Sequence, residues 1–188
     1  MQTFNLPAKP YFIYNSDNGS YLRVGVDPFL YAYEQITDGT YQETFIIDAG
    51  NEVNGFWYGD DLLILPLRNG KINIYRGESY ELVQTTLSDW IRVRKVVYSQ
   101  KLGMFVAGRA SGLVQIFRHN GAQFEQVQEF SAGFSIFALL LDLERLIIAG
   151  ISSEVLFYRF NGTVFYEEQR IPTDEFYIYD IYPSSDMA

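Results

Sequence analysis

Few residues in this chain could carry covalent chemistry. His119 is the single histidine, and there is no cysteine. Those two counts exclude a two-histidine metal site, a thiol nucleophile and a thiolate metal centre. His119 lies in the turn sequence Arg118-His119-Asn120-Gly121. As a general base it would need a carboxylate neighbour and a pocket, so an exposed turn histidine is the plainer reading. Carboxylates are what remain: Asp60, Asp61, Asp142, Glu144, Asp174, Glu175 and Asp180, all near the ends of one recurring strand. Two of them facing each other at roughly 5–9.5 Å could cleave a glycosidic bond as a hydrolase or lyase. Solvated loop charges are the plainer reading of them. There is no Asp-x-Asp-x-Asp-Gly calcium loop. Gly103, Gly108 and Gly112 do not precede a helix, which rules out a phosphate loop. No catalytic residue, metal ligand or cofactor is therefore assigned.

Residues suited to binding are easier to name. Trp90, Arg92 and Arg94 stand together at the start of a strand, and Trp57 lies in the corresponding strand one repeat earlier. Trp, Tyr and Arg are enriched where proteins dock, and Arg92 and Arg94 share one strand face by the two-residue period. The four are the candidate partner-binding set for an acidic or aromatic peptide. The competing reading buries Trp90 between sheets and pairs the arginines with Asp89 or other nearby acids.

The elements that must hold these residues are strands. Of the 188 residues, 48% are hydrophobic and 17% aromatic, a loading that favours β-structure. Turn signals recur every 8–12 residues and no helical period is present. A repeat of about 42 residues organises the chain. Tyr33, Tyr75, Phe117 and Tyr158 close one apolar strand in each unit, 42, 42 and 41 residues apart. Six residues before them stand Asp27, Asn69, Ser111 and Ser152, short polar residues that can hydrogen-bond the backbone of a tight turn. Each unit reads as four strands, a to d, with a Glu- and Gln-rich outermost strand d. A fifth strand of type a follows.

Four-stranded antiparallel units at this period are the signature of propeller blades. The expected fold is all-β and β-propeller-like: four four-stranded antiparallel blades plus one extra C-terminal strand, over one domain of residues 1–188. The repeats fall near 8–50, 51–88, 89–131 and 132–172, and the extra strand at 175–182. Pairing of that strand with the first unit would close the ring and leave residues 1–18 as a tail. The competing arrangement is a segment of a larger ring, completed by self-association or by another chain.

The stretches RNGKINIY, ASGLVQIF and SSEVLFY, with the junction LSDWIRVRKVVYS, resemble the WD-repeat family over most of residues 8–182. The Trp-Asp pair is replaced by Tyr33-Glu34, Tyr75-Arg76, Phe117-Arg118 and Tyr158-Arg159, and the Gly-His pair is absent. The family's buried Asp–His–Ser–Trp network therefore has no counterpart. The resemblance implies a blade architecture and a non-catalytic interaction or scaffold role, with a protein or peptide partner on the loop face.

Charge and hydropathy narrow the partner. The net charge of −9 repels a phosphate backbone, so nucleic acid is not expected. The longest apolar run, Ile136 to Leu141, is too short to span a bilayer, and no signal peptide is visible at the N-terminus. A soluble cytoplasmic protein without membrane contact is the expectation.

Overall fold

The computed structural model describes residues 6, 10, 12–15, 21–36, 39–59, 61–77, 79–86 and 90–182. These form four antiparallel sheets of four strands, and no helix occurs among them. The first sheet holds β1 (Phe12–Asn15), β2 (Tyr21–Val26), β3 (Phe29–Gln35) and β4 (Tyr41–Asp48). The second holds β5 (Trp57–Gly59), β6 (Leu62–Pro66), β7 (Ile72–Arg76) and β8 (Glu81–Thr85). β9 (Val93–Ser99), β10 (Met104–Arg109), β11 (Leu113–His119) and β12 (Phe124–Ser131) make the third. β13 (Ile136–Asp142), β14 (Arg145–Gly150), β15 (Glu154–Phe160) and β16 (Phe165–Pro172) make the fourth. Every sheet is a plain meander in sequence order.

The turns form for the expected reason in three of the four units. Between the second and third strands, the Asn69 side chain accepts the Lys71 N–H at 3.1 Å, Ser111 that of Leu113 at 3.4 Å, and Ser152 that of Glu154 at 3.1 Å. A second device recurs that periodicity alone did not reveal. In all four sheets the register of the last strand pair shifts immediately before the repeated aromatic, at Ala32/Tyr33, Ile74/Tyr75, Ile116/Phe117 and Phe157/Tyr158. The shift leaves Thr44, Val83, Val127 and Glu168 without an opposite residue. Such bulges bend the bulged strand and increase its twist. They also explain why Val83 and Val127 are exposed although apolar.

Alternation sends each middle strand's side chains to two neighbours. On β6, Leu63 and Leu65 meet the first sheet while Leu62 and Ile64 meet the third. On β10, Phe105 and Ala107 meet the second sheet while Met104 and Val106 meet the fourth. The sheets therefore stack in chain order with a core at each joint. Each of these side chains except Ala107 contributes about 1.5–3 kcal/mol on burial. The outermost strands are wet: β16 has a single buried residue, Phe165. Close packing also fixes two glycines. A Cβ on Gly150 would lie 1.9 Å from the Ser135 carbonyl oxygen, and one on Gly108 would lie 2.6 Å from Ile136 Cγ2.

The extra C-terminal strand does not form, and this corrects the sequence expectation. Residues 175–182 make one isolated bridge, Tyr177 with Ile151, which includes the bond from the Ile178 N–H to the Gly150 carbonyl at 3.0 Å. The innermost place in the first sheet is held by β1, which pairs with β2 over Phe12–Asn15. With that edge filled, the terminal segment has no free ladder there. It turns instead towards the inner strands, placing Tyr179 edge-on to Phe137 at 5.5 Å and Asp180 beside Lys95.

Candidate functional site

The first strands of the first three sheets and this terminal segment line an open pocket of 430 Å³. It is lined by Ile13 of β1, Phe56, Trp57 and Tyr58 at β5, Lys95 and Val96 of β9, and Asp180 and Tyr182, together with Asn54 and Gly55. Strand β5 is short, and Gly59 ends it. A Cβ on Gly59 would stand 2.9 Å from the Trp57 indole, so the glycine lets that ring fold back along its own strand. Tyr98 of β9 holds the indole from the other side at 4.7 Å between centroids.

An ion pair sits at the rim. Lys95 Nζ donates to Asp180 Oδ1 at 3.1 Å, and Tyr182 Oη donates to Asp180 Oδ2 at 2.8 Å. Burial pushes the Asp180 carboxyl up, but the bonds from Tyr182 and Lys95 outweigh it and hold the group below its ordinary value. The same bond raises the Tyr182 phenol. At neutral pH the pocket therefore offers aromatic surface, one charged pair and the phenols of Tyr58 and Tyr182. Among the described residues Asp180 is its only carboxylate, and both its oxygens are engaged. The other acids lie elsewhere: Asp142 and Glu144 line a separate pocket of 330 Å³ with Lys101, Arg145 and Arg159, Asp61 is in the turn before β6, and Asp60 falls outside the described residues. No cluster of three or more metal-ligating side chains occurs among the described residues.

Of the four residues proposed for partner binding, only Trp57 belongs to this pocket. Arg92 is turned inward: its Nε donates to Asn54 Oδ1 at 2.8 Å and a terminal nitrogen to Glu52 Oε1 at 3.1 Å. Arg68 binds the other oxygen of the buried Glu52 at 2.6 Å, and Asn54 donates to the Val93 carbonyl at 2.8 Å. The group straps the second sheet to the third. Arg94 lies over the Phe137 ring at 4.3 Å, joining the third sheet to the fourth. Burial, reinforced by the charge of Arg92, lowers its guanidinium pKa. Neither arginine therefore forms an open basic patch with Trp90. The acid expected beside them, Asp89, lies outside the described residues, and Glu52 takes that part for Arg92. Trp90 is 79% exposed and holds a positive φ of 63°, a strained backbone for a bulky residue. His119 serves its turn, with Nδ1 accepting the Gly121 N–H at 3.2 Å.

Sequence reasoning missed Lys95 and Tyr182 and named Asp180 only as a candidate carboxylate. The alternation in Phe176-Tyr177-Ile178-Tyr179-Asp180-Ile181-Tyr182 signalled a strand, and only the filled first edge redirects it.

No helix among the described residues is long and apolar enough to cross a membrane. Compared with protein-family models and with curated proteins, the chain matches none.

Proposed function

We propose that the chain is a non-catalytic interaction module of WD-repeat-like, propeller type, acting in the cytoplasm and holding an extended segment of a protein partner at its inner-strand pocket. The observation that carries this is the convergence of Phe56, Trp57, Tyr58 and Tyr182 around the Lys95–Asp180 pair. Concave apolar sites with a few fixed polar groups are where ligands seat, and buried aromatic anchors dominate peptide affinity. Four like meanders stacked in chain order support the propeller reading. The engagement of Asp180, the one carboxylate among the described residues lining this pocket, favours binding over hydrolysis.

Trp90 supports a second contact on the loop face, because its exposure and backbone strain combine in one residue. Affinity capture with the intact chain, followed by titration of the recovered partner, tests both. Lys95→Glu and Tyr182→Ala should each weaken binding about tenfold or more while the melting temperature stays within a few degrees. Loss with Trp90→Ala alone would transfer the site to the loop face. Unchanged binding in all three variants would refute both surfaces.

A further inference from the structure

Each sheet presents a front face towards the next sheet and a back face towards the previous one. At two joints the front faces follow one plan. In the second sheet, Trp57, Ile64, Ile74 and Gln84 lie opposite one another across the four strands. In the third, Val97, Val106, Ile116 and Gln128 do the same. The row ends in a glutamine that grips the next sheet. Gln84 Nε2 donates to the Phe124 carbonyl at 2.7 Å and its Oε1 accepts the Phe124 N–H at 2.8 Å. Gln128 does likewise with Phe165, at 2.6 and 2.7 Å. Both amides thus engage the backbone of the aromatic that opens the following sheet's outermost strand.

The fourth sheet repeats this plan with no sheet of the described residues seated on it. Its row is Leu140, Ile147, Phe157 and Gln169. Gln169 follows the bulge residue Glu168, as Gln84 follows Val83 and Gln128 follows Val127. It is exposed and makes no side-chain hydrogen bond among the described residues. Ile147, Val155 and Phe157 are only half-buried, whereas their counterparts Val106, Val114 and Ile116 are fully buried. A basic residue completes the set. Arg118 packs over Phe160 of the next sheet at 5.6 Å, and Arg159 holds the same repeat position on the fourth sheet. After Pro172 the chain runs to Lys95 and Phe137, and Phe176 and Tyr177 stay more than half exposed.

We propose that the front face of the fourth sheet docks the back face of the first sheet of a second copy of this chain, head to tail. The first sheet carries the matching parts. Tyr33 holds the place of Phe117 and Tyr158, and Tyr41 opens β4 three residues before its bulge, as Phe124 and Phe165 open β12 and β16. Val24 and Val26 complete that face, on which Leu6 now packs. Docking exchanges the Leu6 contact for a whole sheet and gives Gln169 the Tyr41 backbone. The joint is heterologous, so two copies close into a ring of eight sheets, within the range of known propellers.

Light scattering and sedimentation over the micromolar range test this on the full chain. The expected species has twice the 21.7 kDa mass of one chain. Gln169→Ala should weaken association about a hundredfold, about tenfold for the two neutral hydrogen bonds lost at each of the two joints. Phe157→Glu and Tyr41→Arg should each give monomers, with circular dichroism confirming that they remain folded. Mixing those two variants should restore a pair, because one intact joint survives between them. A wild-type chain that is monomeric throughout overturns the proposal. So does a dimer that ignores Gln169→Ala and Phe157→Glu, or a mixture that stays monomeric. Should either single variant fail to fold, a Gln169→Ala chain with unaltered association still overturns it.

Discussion

The joint between the first and second sheets and the two joints after it solve one packing problem with different chemistry. The later joints carry an apolar row ended by a glutamine that grips backbone. The first joint has Arg23 where they have Ile64 and Val106, and Phe45 where they have Gln84 and Gln128. The two departures belong together. Arg23, 1% exposed, lies with its guanidinium 5.2 Å from the Phe45 ring centre and 5.1 Å from that of Tyr58. It also donates to the Tyr33 carbonyl at 3.3 Å. Phe45 in turn packs on Tyr80 at 4.0 Å, the aromatic that heads the next outermost strand. A buried cation needs π-faces and carbonyls around it, and a glutamine at position 45 would remove a ring. Sheet stacking thus tolerates a change of chemistry provided that the row changes as a unit.

The largest expected effect tests whether the later joints are the rigid ones. Phe105 is fully buried and stacks on Phe117 at 4.5 Å, so Phe105→Ala should cost about 3–5 kcal/mol in urea unfolding. Phe45→Ala, at a half-buried position, should cost about half as much. Equal losses would show that the first joint is packed as tightly as the second.

Next comes the contrast between two buried arginines. Arg109, also 1% exposed, donates to Gln115 Oε1 at 2.6 Å, the Ile91 carbonyl at 2.7 Å and the Gly70 carbonyl at 3.2 Å. Arg109→Met strands three acceptors and should cost about 2–3 kcal/mol. Arg23→Ile should cost less, and less still in a Phe45→Gln background that converts the row to the later type. A double-mutant cycle with no coupling between positions 23 and 45 would break the comparison.

Smaller losses of about 1–2 kcal/mol are expected for Gln84→Ala and Gln128→Ala, each of which frees a backbone N–H and carbonyl. Amide exchange at Phe124 should accelerate in the first variant and at Phe165 in the second. Protection that does not change would show that the glutamine grip is incidental.

The smallest effect concerns the terminal segment, which no joint holds. Its Lys95–Asp180 pair is partly exposed on both sides and is worth under about 1 kcal/mol. Asp180 titrates below its ordinary 3.8 in the fold, so its contribution is present above that value. It is lost as pH falls through the lowered pKa. Trp57 emission followed down an acid titration should report release of the segment there, and Lys95→Ala should abolish that transition. A transition that persists in the variant would place its origin elsewhere.

The strand pattern, the four-sheet division and the polar outermost strands were legible because they depend on neighbours in sequence. Alternation, turn residues and the 42-residue spacing act over a few bonds, and Asn69, Ser111 and Ser152 perform locally what their types imply. The Gln84 and Gln128 positions were also readable in principle, as amides at one repeat offset, but their partners lie about forty residues away. The fates of Arg92 and Arg94 were decided by packing. Glu52 and Phe137 capture them across joints, and no local rule distinguishes an arginine that faces water from one that straps two sheets. The end of the chain shows the division most plainly. Residues 175–182 carry a strand's alternation, yet a strand requires an open edge, and β1 had already filled it.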